Sequence, residues 1–408
     1  MKDPTREAAL ALLNAVLAHG QSLDTALDAL PPLEPRDKAA AHRLAAAVLR
    51  HTGTINAVLE EFLPREPPAA VRKILYLGAA ASLFLQAPPH AAVGTAVDLA
   101  KAKNLAPFAG LINAVLRKIA AAGPALLENL DMPRLDTPAW AWSSWGASAR
   151  DIATAHQTEA PLDISAKPRF IPENALTLPT GSYRYPAGTS ITDLPGFAGG
   201  KIWVQDAAAA LPAQILNPQP GENILDLCAA PGGKTAQLAA AGAHVTALDR
   251  DSSRLATLQS NLTRLSLPAT IIQADALTWQ TDQKFDAILL DAPCSATGTC
   301  RRHPDLLHIR KPRDIIQLTK RQDQLLAAAA EMLAPGGRLI YAVCSLQPEE
   351  AEPRIAKACK TLGLRHDRLS LPTLQEAVTP QGNIRTHPGL WPTLGGLDGF
   401  FIARLRKP

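Results

Sequence analysis

From about residue 200 the chain alternates short apolar, β-branched runs with amphipathic stretches, and few folds accept that alternation. The runs are ENILDLC, HVTALD, ATIIQAD, FDAILLDA and GRLIYAVC, with a late DGFFIARL, separated by stretches such as SRLATLQSNLTRL. Strands interleaved with helices predict a doubly wound, largely parallel α/β sheet. Ligands of such sheets bind beyond the carboxyl ends of the strands. The residues ending successive runs are Asp226 to Cys228, Asp249, Asp275, Asp291 with Cys294, and Cys344. The chemically versatile groups of this half are therefore predicted to share one edge.

The preceding chain reads differently. Residues 1–124 carry apolar residues at helical spacing in REAALALLNAVL, AAAHRLAAAVL, AAVRKILYLGAAASLFL and GLINAVLRKIA, punctuated by prolines, with Ser22 and Asp37 placed as N-caps. An all-α domain is expected there, its alanine-rich helices closely apposed. Residues 125–195 are richer in Pro and Gly and hold Trp140, Trp142 and Trp145 with the strand-like runs PLDISAK and NALTLP, which predicts a small α+β linker subdomain. The tryptophans are expected to form a packed cluster rather than a base-stacking platform. The sheet domain is then 196–408.

After the first strand comes the turn CAAPGGKT, Cys228 to Thr235. A phosphate loop needs glycine where Cys228 stands, and the G-x-G-x-x-G fingerprint fails because the turn has only Gly232 and Gly233. What is left is a small-residue turn that brings a ligand close to backbone amides at a helix start. Asp249 is placed to grip ribose hydroxyls and Asp275 to accept from an adenine amino group. Ribose and adenine without phosphates describe S-adenosylmethionine.

Two cysteines beside a methyl donor suggest pyrimidine chemistry. Carbon 5 of a pyrimidine is a weak nucleophile until a thiolate adds to carbon 6, and cysteine supplies that thiolate near neutral pH. For cytosine, a carboxylic acid at ring N3 assists, and Asp291 is the candidate. After methyl transfer the carbon 5 proton must leave and the thiol must be eliminated, a release the second cysteine would aid. The residue pattern alone leaves open whether Cys294 or Cys344 is the nucleophile. A metal site from Cys294, Cys300, His303 and His308 is not expected, because the spacings do not match paired zinc-ligand patterns.

Long ordered runs carry a resemblance: VQDAAAA from Val204, DLCAAPGGKT from Asp226, DAPCSATGTCRRHPD from Asp291, YAVCSLQPEE from Tyr341 and DGFFIARL from Asp398. Together they resemble the Sun/Fmu-type RNA cytosine-5 methyltransferases, whose catalytic domain is Rossmann-like. The helical region, through AVDLAKA and LINAVLRK, resembles NusB, an RNA- and protein-binding module. That combination points within the family to the group acting on small-subunit ribosomal RNA. The resemblance implies Cys344 as nucleophile and Cys294 as the helper in release. It implies S-adenosylmethionine held by Cys228, Ala229, Ala230, Pro231, Gly232, Gly233, Lys234, Asp249, Arg254, Asp275 and Asp291, and RNA contacts from Arg301, Arg302 and His303. Val343, Ala296 and Thr299-Cys300 depart from frequent family residues without removing a catalytic group.

Charge fits this reading. Between residues 293 and 325 seven basic residues face three acidic ones, an excess equal to the whole chain's net +4. Five cysteines without a regular framework point to a reducing compartment. The N-terminal stretch lacks the marks of a signal peptide, and no run of about 18 uncharged apolar residues occurs. A cytoplasmic monomer without metal or membrane partner is expected. The rival readings are the same chemistry on transfer RNA or large-subunit ribosomal RNA, and a non-catalytic RNA-binding assembly factor.

Overall fold

The computed structural model describes residues 3–408, which fall into two compact units. Of these, the first holds residues 3–158 and 300–310, the second 159–299 and 311–408.

The first unit is helical. Its core helices are α1 (Pro4–His19), α2 (Leu23–Asp28), α3 (Pro35–Arg50), α4 (Thr52–Phe62), α5 (Ala69–Leu83), α6 (Pro89–Ala102) and α7 (Ala109–Ala122). Ser22 caps α2 by accepting from Thr25 N, whereas Asp37 lies inside the first turn of α3 and accepts from Thr5 instead. Small residues bring the helices together, as expected: a Cβ on Gly78 in α5 would collide with the Leu116 side chain of α7. Residues Ala106–Leu127 are long and apolar enough to cross a membrane by length and composition alone. Their Ile112, Val115, Leu116 and Ile119 are nevertheless spent on the helical core, and Arg117 and Lys118 interrupt the stretch.

The 125–195 segment does not stay together. Its helices α8 (Met132–Leu135), α9 (Ala139–Trp145) and α10 (Ala149–Ala155) belong to the first unit. Asp136 fastens them by accepting from Thr54 N at 2.7 Å and Thr54 Oγ1 at 2.9 Å, with His51 Nδ1 at 3.2 Å. Trp145 is buried edge-on to His156, and the guanidiniums of Arg134 and Arg150 lie over the half-buried Trp142 ring, 5.2 and 5.0 Å from its centre.

The rest of that segment, β1 (Leu162–Ala166), β2 (Leu176–Thr177) and β3 (Tyr183–Tyr185), joins β4 (Ile202–Val204) in an antiparallel sheet of the second unit, ordered β2-β3-β1-β4. Helix α11 (Ala207–Leu216) leads into the main sheet. Its strands are β5 (Asn223–Leu227), β6 (His244–Asp249), β7 (Thr270–Gln273), β8 (Phe285–Asp291) and β9 (Leu333–Val343). Helices α12 (Gly233–Ala240) and α13 (Ser252–Leu265) connect the first three, and α15 (Pro312–Met332) precedes β9. Between β8 and α15 the chain enters the first unit, where α14 (Leu306–Ile309) lies. Helix α16 (Glu352–Leu362), β10 (Arg365–Asp367), β11 (Ile384–Arg385) and β12 (Phe401–Arg406) finish the chain. The sheet order is β10-β12-β9-β8-β5-β6-β7, with β11 against β12. Strands β5 to β9 are parallel, and β12 is antiparallel to β9. The order reverses at β5, so a crevice is expected at its carboxyl end.

Candidate active site

The site grows from that reversal. Pairing of Leu227 with Leu248 and with Leu290, and of Asp291 with Ala342, brings the ends of β5, β6, β8 and β9 level. Asp226, Cys228, Asp249, Asp291, Cys294 and Cys344 therefore share one edge, as the strand-end reading expected. Two further backbone bonds carry the register into the loops: Ala292 N to Ala342 O at 2.9 Å and Gly298 N to Cys344 O at 3.0 Å. The result is a sulfur–sulfur distance of 3.4 Å between Cys294 and Cys344.

The turn from Cys228 to Gly233 is tightly formed. Cys228 has φ +60°, Ala230-Pro231 is cis, and Gly232 (φ +101°) caps α12. A Cβ on Gly232 would lie 2.8 Å from Leu258 Cγ, so both the conformation and the space require glycine. Asp249 accepts from Ala230 N at 3.1 Å and Asp251 N at 3.0 Å, tying the turn to the end of β6. Arg254, on the first turn of α13, donates to Ala230 O and so braces the same turn from outside. Asp275 is gripped by Arg321 Nη2, at 3.1 and 2.9 Å to its two oxygens, and by Leu277 N. The Leu277 bond leads burial and Arg321 in setting its pKa, and the net effect is to lower it.

Lys234 points at a carboxylate. Its Nζ donates to Asp291 Oδ2 at 2.7 Å and sits 5.3 Å from the Phe400 ring centre. Burial works against the ammonium, but the charge and hydrogen bond of Asp291, with Cys344 and Asp226 beyond, raise its pKa overall. Asp226 is buried, accepts from Thr235 Oγ1 at 2.6 Å, and has its other oxygen without a partner. Burial pushes its pKa up to about 7.

The three thiols at this edge are not equivalent. Cys228 is pushed up to about 12 by burial and then by Asp249, Asp291 and Asp226, which removes it as a nucleophile. Cys294 is also raised well above the ordinary thiol range, by its hydrogen bond to Cys344 first, then by burial, the charge of Cys344 and Glu350. Cys344 counts among the groups that favour the Lys234 ammonium.

Glu350, Gln322 and Arg321 were not anticipated from sequence. Glu350 lies six residues past Cys344, among Glu349, Glu350 and Glu352, where a run of acids reads as a helix start. Its carboxylate is instead wholly buried behind the cysteine loops.

The basic stretch beyond Cys294 is placed otherwise than expected. In the first unit, Arg301 is 1% exposed and its carbonyl accepts from Arg50 at 3.0 Å. Arg302 and His303 are half-buried, and His303 Nδ1 lies 3.4 Å from Asp24. Asp305 accepts from Leu23 N, His308 Nε2 meets Leu49 O at 2.7 Å, and Ile309 packs on the helical core. Among the described residues no group of three or more His, Cys, Asp or Glu is arranged to hold a metal ion.

The site fits a nucleoside without phosphates. Asp249 ties down the turn that leads into α12, Asp275 lies past the end of β7, and the neighbouring cations Lys234 and Arg321 are already paired with Asp291 and Asp275. A ligand bearing ribose and adenine matches an acid at the end of β6 and another past β7.

Comparison with known proteins agrees. Residues 213–406 match the family model "16S rRNA methyltransferase RsmB/F", and residues 3–121 match the NusB family. The chain is 35% identical to Ribosomal RNA small subunit methyltransferase B of Yersinia pseudotuberculosis, with 98% of each chain covered. Among solved structures, PH0851 has a TM-score of 0.75 at 22% identity, covering 100% of this chain and 99% of that one, a likeness of fold. A methyltransferase homolog protein from Pyrococcus horikoshii has a TM-score of 0.56 at 28% identity, covering 69% and 96%.

Proposed function

The chain belongs to the RsmB/F family of 16S rRNA methyltransferases, and from that premise we propose that it forms 5-methylcytidine in small-subunit ribosomal RNA through a covalent adduct on Cys344. The observation that carries this reading is the pair of thiols 3.4 Å apart at the ends of β8 and β9, on the same edge as the Lys234–Asp291 ion pair.

S-adenosylmethionine is the cofactor; when bound, it supplies an electrophilic methyl group for carbon 5. The turn Cys228 to Gly233, with Asp249 and Asp275, would hold it, and Arg254 and Arg321 brace those groups. Cys344 is taken as the nucleophile on the family likeness of the run Tyr341-Ala342-Val343-Cys344-Ser345, with Cys294 as its neighbour 3.4 Å away. Adding its thiolate to carbon 6 builds charge on the ring at N3. Asp291 is the acid that would give N3 a proton. Carbon 5 then has enamine character. Once carbon 5 has been methylated, water acting as base takes its proton, the carbon 5–carbon 6 double bond re-forms and the Cys344 sulfur leaves as thiolate. Cys294, kept as a thiol, donates a hydrogen bond to the departing sulfur. The cytosine must be unpaired or flipped out of its stack to reach these groups. Arg302 and His303 remain the candidates for RNA contact.

The test is transfer of labelled methyl to protein-free small-subunit ribosomal RNA, followed by nucleoside analysis. 5-Methylcytidine from the wild type, with none and no adduct from Cys344→Ala, is the expected result. Labelling of transfer RNA or large-subunit RNA alone would overturn the substrate, and activity in Cys344→Ala would overturn the nucleophile.

A further inference from the structure

Behind the two thiols lies a polar cluster in which a single carboxylate reaches both cysteine loops. Glu350 is 0% exposed. Its oxygens accept from Ser295 N at 3.0 Å, Ser295 Oγ at 2.6 Å, Ser345 Oγ at 2.5 Å and Gln322 Nε2 at 2.8 Å. Ser295 and Ser345 directly follow Cys294 and Cys344. Tyr341 O–H donates to the Glu350 carbonyl at 2.8 Å, and Thr297 Oγ1, in contact with Ser295 Oγ, accepts from Leu346 N. Each loop is thus joined to the other through one acid.

We propose that Glu350 is a positioning residue that clamps the Cys294 and Cys344 loops together and sets the separation of their thiols. Its importance for catalysis rests on the function proposed above; its hold on the thiols does not.

A carboxylate suits this position. The Ser295 amide and Gln322 Nε2 can only donate and the two serine hydroxyls donate here as well, and a carboxylate has two oxygens and no hydrogen, so it accepts from all of them at once. Glutamine has nearly the same shape but one acceptor oxygen, so its NH₂ is tolerated only where a hydroxyl turns to accept and the contacts to the fixed donors are weakened. A buried acid is costly unless its lone pairs are taken up, which the two serines, the Ser295 amide and Gln322 accomplish. The Cys294 thiol is held protonated first by its hydrogen bond to Cys344, then by burial and the charges of Cys344 and Glu350.

An arsenoxide reports the separation without reference to methyl transfer. Phenylarsine oxide condenses with two adjacent thiols, forming two As–S bonds and releasing one water, and binds a single thiol weakly. Capture by the native full-length protein is measured by intact mass and by competition with dithiothreitol. Cys294→Ala and Cys344→Ala provide the values for a broken pair. Loss of the charged hydrogen bonds in Glu350→Gln should weaken capture about tenfold or more and lower kcat roughly 10- to 100-fold, with KM for RNA and for S-adenosylmethionine within about twofold. If that variant does not fold, Ser295→Ala and Ser345→Ala decide, each removing one arm of the clamp and each expected to weaken capture. Wild-type capture in folded Glu350→Gln, or in both serine variants, overturns the proposal even if their Tm falls. Weakened capture with an unchanged kcat overturns the catalytic part of it. Weakened capture in a protein that methylates no RNA would leave the clamp standing and refute the function instead.

Discussion

Lys234 separates two ways of building this site. Its place in CAAPGGKT suggests a cofactor ligand, yet its Nζ is committed to Asp291 at 2.7 Å, with its side chain 12% and that of Asp291 27% exposed. Lys234→Met keeps much of the stem and removes the charge. A hydrogen bond to a charged group contributes about 1.5–3 kcal/mol, which at about 1.4 kcal/mol per decade corresponds to a roughly 10- to 150-fold fall in kcat. The assay pairs single-turnover methyl transfer at saturating cofactor with calorimetric titration of S-adenosylmethionine. The rate should drop by that factor while Kd changes by less than about threefold, because the cofactor keeps its turn and its acids. A Kd raised tenfold or more, with the rate intact at saturation, would refute the ion-pair role and return Lys234 to the cofactor.

Cys294→Ala removes the S–H that supports departure of the Cys344 sulfur, so it should accumulate RNA-bound protein resistant to denaturing gels; normal turnover without such a complex would count against the release role. Removing residues 1–158 should abolish methyl transfer, not merely weaken RNA binding, because residues 300–310 lose the helices that hold them; a truncated protein with wild-type kcat on excess RNA would contradict this. His156 is buried, with its pKa lowered to about 3 by burial and then by Arg50 and Arg301. Its folded pKa lies below the unfolded 6.5, so the stability it confers is complete above that pH and is lost as pH falls toward 3. At pH 4.5 the loss is about 3 kcal/mol, and His156→Phe should be spared it in urea unfolding. Equal pH dependence in both proteins would exclude the effect.

What was legible in the sequence was what repeats or alternates. The five parallel strands were readable because buried β-branched runs such as ILDL and AILL recur between helical stretches, and their polar ends then located the edge. The short helices α8 to α10 were not, since each spans too few turns to display a period and is secured by contacts distant in sequence, such as Asp136 with Thr54. The burial of Arg301 was hidden for a related reason: a cluster of basic residues looks solvent-facing until packing shows that one of them is buried. The cysteines bring out the limit most sharply. Asp-Ala-Pro-Cys and Val-Cys-Ser carry no information that ranks two thiols. The groups around them come from far along the chain: Lys234 from the turn after β5, and Glu350 from the approach to α16, where it holds Ser295 and Ser345 at once. What brings the two sulfurs to 3.4 Å is the pairing of β5, β8 and β9, and no short run of sequence displays that pairing.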